Sequence, residues 1–169
     1  LADHVRRGRQ ILDVRVGDHD PREAELVVVV GDGRSRVRAR RREELLDLAE
    51  LFARLRLHFE PTAFEKGLAL SFHGAQRVAF ADPVLLERIL RNLISNAIRY
   101  TARGGVLAGV RRRGTALGLE VWDSGVGIPP EQLRLIFEPF YTTKLPDEHG
   151  HGGTGLGLSV CRQIIEQHH

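Results

Sequence analysis

The sequence predicts an α+β fold, a two-layer sandwich of strands and helices. Two observations carry this. Segments that alternate like strands and segments with helical spacing mix along the chain without the strict βαβ rhythm of a doubly wound sheet. The 169 residues suffice for one domain with a proper core, whereas two full domains would be cramped.

Residues 1–42 read as a lead-in segment followed by a β-meander. Leu1, Val5 and Leu12 have helical spacing, yet Leu12 to Val16 alternates as a strand does. Gly17 to Pro21 is a turn, Glu25 to Val30 a buried strand, Gly31-Asp32-Gly33 a second turn, and Ser35 to Arg41 alternates again. Arg34, Arg36, Arg38, Arg40, Arg41 and Arg42 allow a nucleic-acid patch. The plainer reading is the wet face of an edge strand, kept soluble by charge.

A helix is expected from about Arg42 to Lys66, striped by Leu45, Leu48, Ala49, Phe52 and Leu55 and broken or kinked at Pro61. Gly67 ends it. Strands Leu68 to Phe72 and Arg77 to Phe80 follow. Asp82-Pro83 is a helix start, an N-cap acceptor before a proline at the first helical position. The helix carries Leu85, Leu86, Ile89, Leu90, Leu93, Ile94, Ala97 and Ile98 and ends near Thr101. Next come strands Val106 to Arg112 and Ala116 to Trp122, and a short helix over Glu131 to Glu138. Residues 141–153 form a loop with Gly, Pro and His, and a last helix starts near Thr154.

Composition excludes several classes. The apolar share is 42% and the charged share 28%, ordinary for a globular chain. The net charge of +3 is too small to argue for nucleic acid. The longest apolar run, Leu26 to Val30, cannot span a membrane or serve as a secretory signal. No nucleic-acid partner and no membrane contact are therefore expected of this segment. A single cysteine, Cys161, leaves no intramolecular disulfide and no zinc cluster. Its apolar neighbours suggest core packing in a reducing, cytoplasmic compartment.

Three segments could carry chemistry. On the helix from Pro83, Asn92 and Asn96 share a face, and Arg99 joins them one turn on. Two amides and a guanidinium can offer oxygens to a hard metal ion and a cation to phosphate. Such a face can equally be the solvated side of an amphipathic helix. Asp123-Ser124-Gly125-Val126-Gly127-Ile128-Pro129 follows a strand directly. It is an Asx-type turn, or a carboxylate accepting from an exocyclic amine beside an apolar wall at Ile128. Gly152 to Ser159 is Gly-rich and opens a helix, whose free N–H groups can bind an anion. It lacks the Gly-Lys-Ser/Thr of a Walker A loop, and no strand precedes it as a Rossmann turn requires.

Taken in this order, the segments resemble the histidine kinase branch of the ATPase superfamily that includes gyrase B, the heat-shock chaperone and the mismatch-repair ATPases. Asn92 to Thr101 looks like the N box, and Asp123-Ser124-Gly125-Val126-Gly127 is similar to the G1 box. Phe137 to Lys144 resembles the F box of nitrogen- and oxygen-sensing kinases. Gly153-Thr154-Gly155-Leu156-Gly157-Leu158 looks like the G2 box. The likeness covers about residues 43–167.

The resemblance implies a mixed sheet backed by helices, the Bergerat-type fold, with ATP between the helices under a lid at residues 141–153. It also implies roles. Asn96 would hold Mg²⁺, with Asn92 and Arg99 supporting the phosphates, the three forming the catalytic set. Tyr100 and Ile128 would line the nucleotide site. Asp123 would read the adenine amine, while Gly125 and Gly127 let the backbone close on the base. Gly153, Thr154, Gly155, Leu156 and Gly157 would shape the phosphate end. Lys144 is a phosphate contact or a solvated lid lysine. His149 and His151 make a poor metal site, and Trp122 is assigned to core packing beside the site.

Residues 43–169 are thus expected to form a histidine kinase catalytic domain, with a possible stub of the phosphoacceptor helix before it. The phosphoacceptor motif is absent: Val5 follows His4, and Pro21 follows His19-Asp20. The acceptor histidine would sit on a separate dimerisation domain, with a response regulator downstream and a parent protein free to be membrane-anchored. The family domain continues past Gln167 with two more strands, so this segment is expected to lack them. Two alternatives share the boxes: an ATP-hydrolysing or serine-kinase relative, and a nucleotide-binding module without catalysis.

Overall fold

The computed structural model describes residues 9–15, 25–30, 33–38, 44–113, 116–142 and 154–166. Its elements in chain order are β1 (Arg9–Arg15), β2 (Glu25–Val30), β3 (Gly33–Arg38), β4 (Glu44–Asp47), α1 (Leu48–Glu65), β5 (Ala69–His73), β6 (Val78–Ala81), α2 (Pro83–Tyr100), β7 (Gly105–Arg113), β8 (Ala116–Asp123) and α3 (Gly157–Glu166). A six-stranded sheet runs β3-β2-β1-β8-β7-β5, and β4 and β6 form a separate ribbon. β5 and β7 are parallel and the other pairs antiparallel, so the sheet is mixed. The meander expected before residue 43 extends this same sheet from the edge of β8.

Helices α1 and α2 cover one face. Val106, Ala108 and Val110 of β7 and Leu117, Leu119 and Val121 of β8 are buried there. They meet a stripe on α2 of Leu86, Ile89, Leu90, Leu93, Ile94, Ala97 and Ile98, all buried. Each fully buried Leu or Ile contributes about 1.5–3 kcal/mol. The N-cap of α2, where Asp82 Oδ1 accepts from Val84 N and Leu85 N at 3.0 and 3.1 Å, adds about 1 kcal/mol. Packing therefore holds α2 in place, and the cap fixes where it begins.

Several sequence expectations need correction. The first helix does not start near Arg42. Glu44–Asp47 is strand β4 paired with β6, and Leu45 is 74% exposed instead of lying on the helix stripe. Asp47 accepts from Ala49 N at 2.7 Å, and this cap sets the start at Leu48. Pro61 does not break α1, which runs on without interruption to Glu65. Phe59 and Ala63 are buried on either side of it, and their burial offsets the lost hydrogen bond, a cost of about 3 kcal/mol. Strands β5 and β6 each begin one residue later than expected.

The short helix at Glu131–Glu138 is instead two 3-10 turns, Pro130–Gln132 and Leu135–Phe137. The last helix begins at Gly157, not near Thr154. Leu12, counted in the lead-in helical spacing, lies in β1; residues 1–8 and the two early turns fall largely outside the described residues.

Candidate nucleotide site

The end of β8 meets the C-terminus of α2. Asp123 pairs across the ladder with buried Val106, which puts it on the helix-covered face. Its Oδ1 accepts from Gly125 N at 2.9 Å and from Thr101 Oγ1 at 3.5 Å. Both bonds fall on one oxygen, which leaves Oδ2 for a ligand donor. Burial raises the Asp123 pKa above the ordinary value of 3.8, and the bonds from Gly125 and Thr101 pull it partly back.

Gly125 is dictated by space. A Cβ there would lie 2.6 Å from Tyr100 O and 2.8 Å from Asp123 Oδ1. Gly127 has φ +74, a left-handed turn that glycine adopts without strain. Ile128 packs half-buried against the core. Ser124 ties this loop to the preceding turn: its Oγ accepts from Gly105 N and donates to Arg103 O, both at 3.0 Å.

Two contributors here escaped the sequence reading. Thr101, the C-cap of α2, is fully buried. Lys66, just past α1, reaches the α2 terminus, its Nζ 2.7 Å from Ile98 O, 3.2 Å from Arg99 O and 3.4 Å from Thr101 O. A cation at helix C-terminal carbonyls satisfies orphan acceptors and opposes the negative end of the dipole. The available signal was a lysine beside the helix-ending Gly67, which says nothing of which helix it caps.

One turn and more up α2, Asn92 and Asn96 are half-buried. Their face is covered by α3 and is not simply solvated. A Cβ on Gly157, the first residue of α3, would lie 3.5 Å from Asn92 Oδ1 and 4.0 Å from Asn96 Nδ2. Asn92 Nδ2 donates to Cys161 Sγ at 3.4 Å. Gly157 and Cys161 are four residues apart and share a helix face. Cys161 is buried, as expected, and it also orients Asn92. Burial pushes its thiol up to about 11, so it stays protonated.

The loop before α3 turns back on the segment after β8. Gly155 has φ +66, and its carbonyl accepts from Phe140 N at 3.1 Å. A Cβ at Gly155 would lie 2.6 Å from Phe140 Cα. Phe140 itself has φ +66 and is 74% exposed. Thr154 Oγ1 accepts from Leu156 N at 3.4 Å, and Leu156 O accepts from Val160 N at 2.9 Å. The first turn of α3 therefore opens beside the two asparagines with N–H groups that no helix carbonyl can reach.

The structure thus brings Asn92, Asn96 and Gly157 together at one end, with Gly155 and Leu156 leading into them. It brings Tyr100, Asp123 and Gly125 together at the other. Arg99 is half-buried near the α2 terminus, its carbonyl held by Lys66. Lys144, Gly153, His149 and His151 lie outside the described residues. Trp122 is not in the core: it is half-buried, and its Nε1 donates to Glu120 Oε2 at 2.9 Å. Among the described residues no group of three or more His, Cys, Asp or Glu could hold a metal ion.

Comparison with known proteins agrees with this fold. Residues 81–169 match the family described as histidine kinase-, DNA gyrase B-, and HSP90-like ATPase. The chain is 39% identical over 84 residues to the sensor histidine kinase RcsC of Escherichia coli, covering 50% of this chain and 9% of that protein. It is 34% identical over 128 residues to the sensor protein SrrB of Staphylococcus aureus, covering 75% of this chain and 22% of that protein. It therefore spans only a small part of these relatives.

Among solved structures, the nucleotide-free catalytic domain of histidine kinase ThkA superposes with a TM-score of 0.65 at 33% identity, covering 76% of this chain and 83% of that one. ThkA in complex with the response regulator TrrA matches at 26% identity and a TM-score of 0.60, over 85% of this chain and 36% of that one. With a two-layer mixed sheet and helices that superpose on a histidine kinase catalytic domain, the chain belongs to the histidine kinase-, DNA gyrase B-, and HSP90-like ATPase family.

Proposed function

We propose that this domain transfers the γ-phosphoryl group of Mg-ATP to a histidine carried by a separate dimerisation domain of the same kinase. The parent would then pass the group to a response regulator in the cytoplasm. The observation that carries this over hydrolysis is the residue one turn before Asn96. In the hydrolysing and serine-phosphorylating relatives a glutamate there can act as general base; here it is Asn92, which cannot take up a proton at neutral pH. Glu87 is no substitute, because its carboxylate pairs with Arg91 at 3.0 Å and Arg54 at 3.4 Å.

Each group has a task in this reading. Asp123 Oδ2 accepts from the adenine amine, and Gly125 and Gly127 let the backbone approach the ring. The α3 N-terminus faces the phosphates. Asn96 would hold Mg²⁺, which neutralises developing phosphate charge. One amide oxygen with no acidic cluster suits a cation bound mainly by substrate oxygens and water. An imidazole nitrogen bonds to the γ-phosphorus as the bond to the leaving ADP oxygen breaks, and the imidazole proton leaves to a base on the acceptor domain. Residues 43–169 are assigned as the catalytic unit.

Incubation of this chain with labelled ATP tests the proposal. It should bind ATP, hydrolyse it very slowly and label none of its own histidines. A cognate phosphoacceptor domain should become labelled in trans. Fast hydrolysis by the chain alone, abolished by Asn96→Ala, would replace the kinase reading with the hydrolase one.

A further inference from the structure

We infer that Lys66 is a positioning residue for base recognition, acting through the α2 terminus and Thr101 on Asp123. The inference rests on the reading of Asp123 as the adenine acceptor. Lys66 follows α1, yet its ammonium lies 2.7, 3.2 and 3.4 Å from the carbonyls of Ile98, Arg99 and Thr101. These are the last residues of α2 and its cap, where carbonyls lack intrahelical donors. A cap from a neighbouring helix fixes the end of α2 relative to α1.

Thr101 is where that fixation reaches the ligand. The residue is 0% exposed, so its hydroxyl must find its partner inside the fold. Its N–H donates to Ala97 O at 3.1 Å, its carbonyl accepts from Lys66, and its Oγ1 donates to Asp123 Oδ1 at 3.5 Å. The carboxylate is thus held from two sides, by Thr101 and by Gly125 N at 2.9 Å. Both donors occupy Oδ1, which leaves Oδ2 for a ligand donor. Without the ammonium the α2 terminus is free to fray, Thr101 shifts, and Asp123 loses one of the two bonds that aim it.

The consequence is specific to the base. Asn92 and Asn96 lie one to two turns up α2 and are held by its buried stripe and by α3. A general loss of structure would weaken every nucleotide alike. A loss of aim at Asp123 weakens ATP, whose base offers an amine, and spares GTP, whose base presents an oxygen there.

Calorimetric titration of the chain with ATP and GTP tests this in four proteins: unmodified, Lys66→Met, Lys66→Arg and Thr101→Val. Lys66→Met keeps the apolar stem and removes the charge. It should weaken ATP about fivefold and GTP less than about twofold, the scale of one orienting hydrogen bond. Lys66→Arg should restore the ATP preference, and Thr101→Val should reproduce the loss without touching the cap. If Lys66→Met fails to fold, Thr101→Val and Lys66→Arg decide: unchanged ATP preference in Thr101→Val overturns the inference. So does equal weakening of both nucleotides by Lys66→Met. No ATP preference in the unmodified chain removes the reading of Asp123 itself, and this inference falls with it.

Discussion

The two ends of the proposed nucleotide site are built differently. At the adenine end, Asp123 is held by Thr101 and Gly125, the loop is pinned by Ser124, and the helix behind it is capped by Lys66. Every anchor sits at or just past the end of α1, α2 or β8. At the proposed phosphate end, among the described residues, α3 meets Asn92 through a thiol acceptor at 3.4 Å, and the loop before it meets the segment after β8 through the bond from Phe140 N to Gly155 O. The exposed ion pair of Arg162 and Glu138 at 3.5 Å adds little. On the proposed reading, base recognition is therefore preorganised by the fold, while phosphate binding depends on how α3 sits on α2.

The sharpest way to test that contrast is at the phosphate end. Asn96→Ala should lower Mg-ATP affinity about a hundredfold, the upper range that even an outer-sphere partner of a metal reaches. Adenosine binding should change little, because its contacts lie at the other end. Parallel titrations with Mg-ATP and adenosine check this, and equal losses would mean that the ends are not separable.

Asp123→Asn addresses the other end and should remove the ATP-over-GTP preference, a change of about tenfold for one charged hydrogen bond. The same variant tests the buried carboxylate. Its pKa in the folded chain stands above the ordinary 3.8 because burial disfavours the charge. The folded state then holds the proton more tightly than the unfolded state does. Asp123 contributes stability below about its ordinary pKa, and that contribution is lost as pH rises through the raised value. Asp123→Asn should therefore be more stable than the parent at pH 7, with the gain vanishing in acid. Denaturant midpoints at several pH values measure it, and a variant less stable at neutral pH would contradict the assignment.

Gly155→Ala forces a Cβ into the Phe140 backbone and into φ +66. The dihedral alone costs about 1–2 kcal/mol, so Tm should fall by at least about 2–4 °C. ATP and GTP affinities should drop together, since the phosphates are shared. Smallest of all, Cys161→Ala should weaken both nucleotides about two- to fivefold by freeing Asn92, and Cys161→Ser should recover part of this. A selective loss of ATP in either variant would erase the contrast between the ends.

Much of this was legible in the sequence, and the reasons for the rest are particular. Asp82-Pro83 and the stripe from Leu86 to Ile98 located α2 correctly, because cap and packing signal the same boundary. Alternation found β7 and β8. The start of α1 was misplaced because Leu45 and Leu46 suit a helix stripe as well as a strand. Only the pairing of β4 with β6 decides between them, and pairing is not local. Asn92, Asn96, Asp123 and Gly157 could be singled out within motifs. Lys66 belongs to no motif and Thr101 closed one without a role, since their work is done on backbone carbonyls and on a carboxylate more than twenty residues away.

The ladder between β1 and β8 bears on how the chain acquires its shape. Arg15 lies opposite Ala116 and Arg9 opposite Trp122, so partners emerge roughly a hundred residues apart during synthesis. Doubling a closed loop adds only about 0.6 kcal/mol, and the finished ladder bears that easily. Timing is the harder constraint. At about 5–20 residues per second, β1 waits about 5–20 s for β8 to leave the ribosome. Through that interval the meander of β1, β2 and β3 presents an edge of unpaired backbone groups. A nascent strand with such an edge is open to capture by a chaperone or by its neighbour on the same messenger. High separation between paired strands also slows refolding in the test tube. The strand that carries Asp123 is thus also the one whose arrival joins the meander to the rest of the sheet.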